Sequence, residues 1–351
     1  MNMKKLLVLI LIVLTVFSCI SCSSGKIDAK EELNDIVDFL YEQSGVEKGQ
    51  LLSSDEFLIP GDSISDWIAI LLSKADTDED YSAYLKRLEE YVESKYSGEE
   101  KLHRIKATEW HRIGLTVLAL GGDPMSFGTD SKGQTINLVK DGTFGWTQTD
   151  DIGSQGNNAV IFALILLESS DCDVPEGSKY TKEKLIYDLL AGQSEDGGFG
   201  LSKSAGVDLD ITAMSVQALA PYYGESENYS IGGKMVTVKQ SVDKALEFLS
   251  NAQDENGAYK YGDSYSCETS AQIILALCTL GIDPSEDESF EKNGTDIVEG
   301  LRIFKCKDGG YSHVTGEEAD NRGDVMASEQ VGRAFTALML LDEGKSYYDF
   351  K

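Results

Sequence analysis

The sequence predicts an all-α fold of about twelve helices in two concentric rings, six low-charge helices inside and six charged ones outside. Three observations carry this. A turn made of glycine and an aromatic recurs along the chain, a helix rich in small and aliphatic residues follows each copy, and no stretch alternates apolar and polar residues as a half-buried strand would. The turn stands at Asp141 to Phe144, Asp196 to Phe199, Asn256 to Tyr259 and Asp308 to Tyr311. The helices after it read NNAVIFALILL, DITAMSVQALA, ETSAQIILALC and EQVGRAFTALML. A period of about 50 to 60 residues of this kind means stacked helix pairs.

Taken in order, residues 1–22 are a targeting segment. Lys4 and Lys5 precede the apolar run LLVLILIVLTVF, which is short for a membrane span and placed as a signal sequence requires. Cysteines follow at once in VFSC and CISC, and a small residue before a cysteine resembles the bacterial lipobox. Cys19, with Val16 and Ser18 before it, fits this better than Cys22. Diacylation there anchors residues 23–351 to the outer face of the cytoplasmic membrane; an ordinary cleaved signal peptide is the alternative.

Beyond the leader, apolar periodicity places helices near 28–43, 62–75, 81–97, 107–121, 132–140 and 156–169. The second half adds 181–193, 208–222, 238–252, 266–281, 294–305 and 326–343. One helix of each pair is heavily charged, as in YSAYLKRLEEYVESKY, and belongs outside; its partner, with few charges, belongs inside. A repeat that closes into a ring holds residues 23–351 as one domain.

Charge and cysteine content exclude several functions. The formal net charge is −29, a field that repels nucleic acid and anionic head groups and works against diphosphate ligands. Cys172, Cys267, Cys278 and Cys306 are scattered without paired spacing, so packed free thiols are expected. Asp76, Asp78 and Asp80 alternate like the start of a calcium loop, but Tyr81 replaces the required glycine and Arg87 the closing glutamate. They read as the solvated start of a helix.

Turns of the form Q-x-x-D-G-G-F-G followed by D-x-T-A-M-x-x-x-A-L resemble the α/α-toroid superfamily of terpenoid cyclases and protein prenyltransferases. SDWIAILL, EWHRIGLTVLALGGDP, ASEQVGRAFTAL and SYYDF are similar to surface proteins of Gram-positive anaerobes that carry prenyltransferase and squalene-oxidase repeats. DITAMSVQALA is also similar to the toroid domain of transcobalamin and intrinsic factor, which bind cobalamin. The resemblance implies an α/α toroid over nearly all of residues 23–351, and a corrinoid as one candidate ligand.

Parallel inner helices gather their N-termini at one rim. Aligning the Ala-Leu pairs of the repeat puts Asp210, Glu268 and Glu329 at equivalent positions there, with Thr108 and Gln155 near that place in earlier repeats. Three carboxylates at one mouth bind a cation, act as acids or hydrogen-bond a polar ligand; alternatively each caps its own helix. Trp110 and His111 head an inner helix and are expected to line the cavity, while Tyr261, Tyr265 and Trp146 follow turns and are expected at the rim.

Two enzyme readings follow from the resemblance. Asp208-Leu209-Asp210-Ile211-Thr212 matches the D-x-D-D-T motif of class II terpene cyclases at all but Ile211, which would make Asp210 the proton donor with Asp208 beside it. The zinc site of protein prenyltransferases is not reproduced. Asp263 and Cys267 are four apart, His313 lies in a loop, and His103 and His111 are remote in sequence, so no metal is expected. The sequence thus favours a non-catalytic surface lipoprotein that binds a small molecule or a surface partner, with the cyclase as alternative.

Overall fold

The computed structural model describes residues 27–54, 57–315 and 322–350. The leader, with Cys19 and Cys22, lies outside them. Twelve α-helices follow one another among the described residues: α1 (Ala29–Ser44), α2 (Ser63–Lys74), α3 (Tyr81–Tyr96), α4 (Thr108–Ala119), α5 (Leu138–Gly142) and α6 (Asn157–Ser169) in the first half. Then come α7 (Lys182–Gly192), α8 (Leu209–Leu219), α9 (Val238–Ala252), α10 (Cys267–Thr279), α11 (Ile297–Gly300) and α12 (Val325–Asp342).

The even-numbered helices form the inner ring. Each packs on the next, α2 on α4, α4 on α6, α6 on α8, α8 on α10 and α10 on α12, and α12 returns to α2, so the ring is closed. Burial follows charge. Every residue of α10 from Cys267 to Cys278 is buried, whereas outer helix α9 buries Val238, Ser241, Val242, Ala245 and Leu249, one face at helical spacing. Outer helices pack on the inner helix that precedes them, and α1 covers α12.

The recurring turn locks one repeat to the next through named hydrogen bonds. The side chains of Asp196, Asn256 and Asp308 each accept from the backbone N–H two residues on, at 3.1, 3.1 and 3.2 Å. The intervening Gly197 has φ +95°, and an added Cβ would lie 2.4 Å from the carbonyl oxygen of Lys244 on α9. Only glycine allows that approach. Gln193 Nε2 then donates to Gly197 O and Ser241 O, and Gln253 Nε2 donates to Gly257 O and Phe290 O. In the last copy Lys305 takes the glutamine's place and reaches Glu32 and Asp35 of α1, each at 2.6 Å, which ties the end of the ring to its beginning. Replacing Gln253 by leucine is expected to cost about 2–3 kcal/mol, because two buried carbonyls lose their donor. Urea denaturation measures it, and a loss under ~0.5 kcal/mol would mean that water replaces the glutamine.

Two helices are shorter than periodicity suggests. The range 132–140 reduces to α5, because Asp130 Oδ1 accepts from the N–H groups of Lys132 and Gln134 and holds those residues in a loop; Asn137 then caps the helix. The range 294–305 begins inside a hairpin and continues as α11 and a 3-10 turn over Leu301–Phe304. Three small antiparallel hairpins were not expected: β1 (Tyr229–Ile231) with β2 (Lys234–Val236), β3 (Lys260–Tyr261) with β4 (Ser264–Tyr265), and β5 (Glu291–Lys292) with β6 (Thr295–Asp296). Their turns are Gly-Gly, Gly-Asp and Asn-Gly, the pairs that two-residue hairpins favour. Cys267, Cys278 and Cys306 are buried and Cys172 half-buried, all as free thiols. Asp80 caps α3, and its neighbours Asp76 and Asp78 precede that helix.

Candidate functional site

The inner helices are parallel, because their N-terminal residues meet at one end of the barrel and their C-terminal residues at the other. Ser63, Asp210, Glu268 and Met326 surround one cavity, whereas Ile165, Gln217 and Thr279 surround another at the far end. The cavity at the N-terminal end has a volume of about 480 Å³. Its floor is a polar ladder: Gln217 Nε2 donates to Gln272 Oε1 at 3.0 Å, and Gln272 Nε2 donates to Gln330 Oε1 at 3.0 Å. Below that the chain's last turn closes the barrel. Tyr347 is buried, and the Tyr348 hydroxyl donates to Gln217 Oε1 at 2.9 Å. The cavity is therefore a blind funnel.

Asp210, Glu268 and Glu329 all face this funnel. Their depths differ, and the Ala-Leu alignment needs correction. Asp210 and Glu268 each stand two residues after their N-caps, Asp208 and Ser266, while Glu329 stands five after its N-cap, Asp324. One helical turn deeper, Glu329 is 3% exposed and paired with Arg333, 5% exposed, one turn further along α12. Arg333 Nε lies 2.7 Å from Glu329 Oε1, but off the line a hydrogen bond needs, so charge alone joins them. The guanidinium also lies 4.6 Å from the Trp67 ring, which in turn packs on Phe162 at 5.7 Å. Burial pushes the Glu329 carboxyl up to about 7 against the pull of Arg333.

Nearer the mouth, burial pushes Asp210 up to about 6; Asp208 and Glu268 add to that, and a Thr269 hydrogen bond opposes it. Asp210 Oδ1 is buried and accepts no hydrogen bond. Glu268, 6% exposed, accepts from Ser266 at 3.4 Å and meets His313 Nδ1 at 2.6 Å. Tyr265 and the 63% exposed Tyr261 stand over the opening on the β3–β4 hairpin. Of the D-x-D-x-T motif only Asp210 addresses the cavity. Asp208 caps α8 through Ile211 N–H, and Thr212 Oγ1 binds the backbone of Phe199, so both hold the helix start in place.

Trp110, His111 and Trp146 do not line the cavity, contrary to expectation. Trp110 is fully buried, donates to Tyr96 Oη at 2.7 Å and meets Trp146 edge to face at 5.4 Å. The physical reason is α5. This short outer helix comes so close to α4 that a Cβ on Gly142 would lie 2.5 Å from Trp110 Cβ and 3.3 Å from His111 Cδ2, so both side chains are enclosed between the two helices and turned away from the funnel. His111 Nε2 lies 2.6 Å from Gly142 O, and burial pushes its imidazole down to about 4, leaving it neutral.

Sequence reasoning missed Trp67, Phe162, Gln272, Gln330 and Arg333 as cavity residues. It also missed a second ion pair, Asp66 with Arg112 at 2.9 Å between α2 and α4. That pair is fully bonded: Asp66 also accepts from Tyr84 Oη at 2.8 Å and Gly61 N at 3.0 Å. Charged residues within otherwise apolar inner helices were the available signal for both pairs.

These features define the class: the fold is an α/α toroid with an acidic, aromatic funnel at one rim. No family model and no curated protein matches the sequence. Solved structures match at the level of fold. One is the GH76A α-1,6-mannanase from Salegentibacter sp., with TM-score 0.56, 13% identity, and coverage of 90% of this chain and 100% of that one. Another is Candida albicans protein geranylgeranyltransferase-I complexed with GGPP, with TM-score 0.54, 11% identity, and coverage of 88% and 91%. A third is the type II terpene cyclase MstE from Scytonema, with TM-score 0.52, 12% identity, and coverage of 89% and 99%. Names as different as these show that the toroid does not by itself select an activity.

Proposed function

We propose that this toroid is the ligand-binding domain of a lipid-anchored surface protein, and that it takes a small organic molecule into the funnel without transforming it. The observation that carries this is the blind cavity of about 480 Å³, where aromatic rings and three carboxylates converge. Its size suits a ligand of drug-like dimensions. A corrinoid is larger and would lie across the rim against Tyr261 and Tyr265. The acids disfavour a diphosphate. Binding is better supported than cyclisation, because burial raises Asp210 to about 6, which makes it a weaker proton donor than a free aspartic acid.

The proposed anchor fits this arrangement. Ile27 and Ala29 lie beside Asp342 and Glu343, at the C-terminal end of α12 and so opposite the funnel. A lipid on Cys19 or Cys22 would hold the closed end towards the membrane and turn the mouth outward.

Equilibrium titration of the full chain in detergent against a panel of ring-bearing small molecules, cobinamide included, tests the reading. The expected result is saturable binding with a dissociation constant of about micromolar order, abolished by the cavity-filling substitution Met214→Trp. Binding that ignores Met214→Trp, or no binding by any compound, would overturn it. In the producing cell, labelled palmitate is expected to enter the wild-type chain and to be lost in Cys19→Ser or, if lipidation uses the other site, in Cys22→Ser.

A further inference from the structure

The chemistry of the funnel narrows its ligand, on the reading that the funnel is a ligand site. Three carboxylates face it, Asp210, Glu268 and Glu329, against one guanidinium, Arg333. Arg333 is already engaged by Glu329 and by the face of Trp67. Asp210 has no cation beside it in the funnel, only the Thr269 hydroxyl, and its Oδ1 is buried and has no donor. A buried carboxylate oxygen without a donor is costly, so the site is one donor short. Glu329 is more than nine-tenths buried, and its Oε1 likewise accepts no hydrogen bond.

Two kinds of cation would relieve this. A metal ion needs several oxygen ligands converging within about 2.0–2.6 Å of one point. Among the described residues no group of three His, Cys, Asp or Glu side chains is arranged to hold one. An organic cation makes the opposite demand, a carboxylate or two on one side and apolar or aromatic surface on the other. The funnel meets it with Trp67, Phe162, Tyr261 and Tyr265 opposite or above the acids.

We infer that the funnel binds an organic ammonium ion, a primary or secondary amine on a ring or short alkyl chain, whose N–H groups go to Asp210 and Glu268 while its carbon surface lies on Trp67 and Phe162. His313, at the rim beside Glu268, lies on the path by which such a ligand enters. Affinity depends on pH through Asp210. The groups around it are Asp208 on its own helix, Glu268 from α10, His313 from the loop before α12, and Glu329 and Arg333 from α12. The only titratable side chain of α6 is Glu168, at the far end, and the charged side chains of α9 lie on the outer ring. Protonation removes the anion that the ammonium pairs with, so affinity is expected to hold above about pH 7 and to fall as pH drops through about 6.

Calorimetric titration of the full chain with phenethylamine, tryptamine and cadaverine, each beside its alcohol counterpart (phenylethanol, tryptophol, pentane-1,5-diol), tests the inference. At least one amine is expected to bind roughly tenfold or more tightly than its alcohol. Asp210→Asn and Glu268→Gln should each remove that preference and leave weak alcohol binding in place, with thermal melting showing that both variants remain folded. Alcohols binding as tightly as amines would overturn the ammonium assignment and leave the cavity a ligand site; so would calcium or magnesium displacing the amine. Binding by none of the six, together with none from the broader panel, would overturn both readings.

Discussion

Arg333→Met is expected to destabilise the protein by about 3–5 kcal/mol at pH 8, the range for leaving one partner of a buried ion pair uncompensated. The position is enclosed, with Arg333 5% and Glu329 3% exposed. Among the described residues that line the funnel, Arg333 is the one Lys or Arg side chain. The substitution also removes the contact with Trp67. At pH 5 the loss should be smaller. Burial already holds the folded-state Glu329 carboxyl at about 7, above the ordinary value of about 4.3. A group raised on folding contributes stability below its unfolded pKa and loses it as pH rises through the folded one, so Glu329 disfavours the folded state increasingly from about pH 4.3 to about 7 and by a constant amount above that. Removing Arg333 raises the carboxyl further, so the loss continues to higher pH before it levels off. The double variant Glu329→Gln with Arg333→Met should recover most of the loss, because no charge is then left buried. Urea denaturation of the three proteins at pH 5 and pH 8 decides it. Equal losses at both pH values would show that packing against Trp67, and not charge, is what Arg333 supplies.

How much of this was legible in the sequence depended on whether a feature repeats. The closed ring was, because its cause recurs: glutamine, aspartate or asparagine, and glycine each do the same task at Gln193 to Gly197 and at Gln253 to Gly257. The meeting of Asp210, Glu268 and Glu329 was legible for the same reason. The depth of Glu329 was not, since 13 residues separate the N-cap Asp324 from Ala337 in α12 but 10 separate Asp208 from Ala218 in α8, and aligning Ala-Leu pairs hides that offset. Trp110 and His111 were misplaced because they face the close approach of α5 at Gly142, a contact between elements that helical periodicity does not reveal. The hairpins had a readable signal in Gly232-Gly233, Gly262-Asp263 and Asn293-Gly294, each short enough to pass for a loop. Arg333 and Trp67 meet across the ring's closure, between the last inner helix and the first, and no local pattern connects them.

The closed floor gives the other large effect. Tyr347→Ala is expected to cost about 3–5 kcal/mol, the range for deleting a buried aromatic ring, while Tyr347→Phe should cost little or stabilise slightly. The contrast follows from what the side chain touches. Its ring is 1% exposed and meets Tyr348 edge to face at 5.4 Å, but its hydroxyl is buried without a hydrogen-bond partner. Removing that hydroxyl relieves a desolvated polar group, and removing the ring opens a void beneath the polar ladder. The alanine variant should also change what the funnel is. Tyr348 holds Gln217 from below, and Ser169 Oγ donates to Tyr348 O at 3.1 Å, so loosening the tail frees the lower end of the Gln217–Gln272–Gln330 ladder. Ligand affinity at the opposite end should then fall, although Tyr347 is not among the residues that line the cavity. Thermal melting gives the stability, and titration well below the melting temperature gives the affinity. A Tyr347→Ala protein that melts at a lower temperature yet binds as tightly as wild type would show that the ladder, and not the tail, fixes the shape of the funnel.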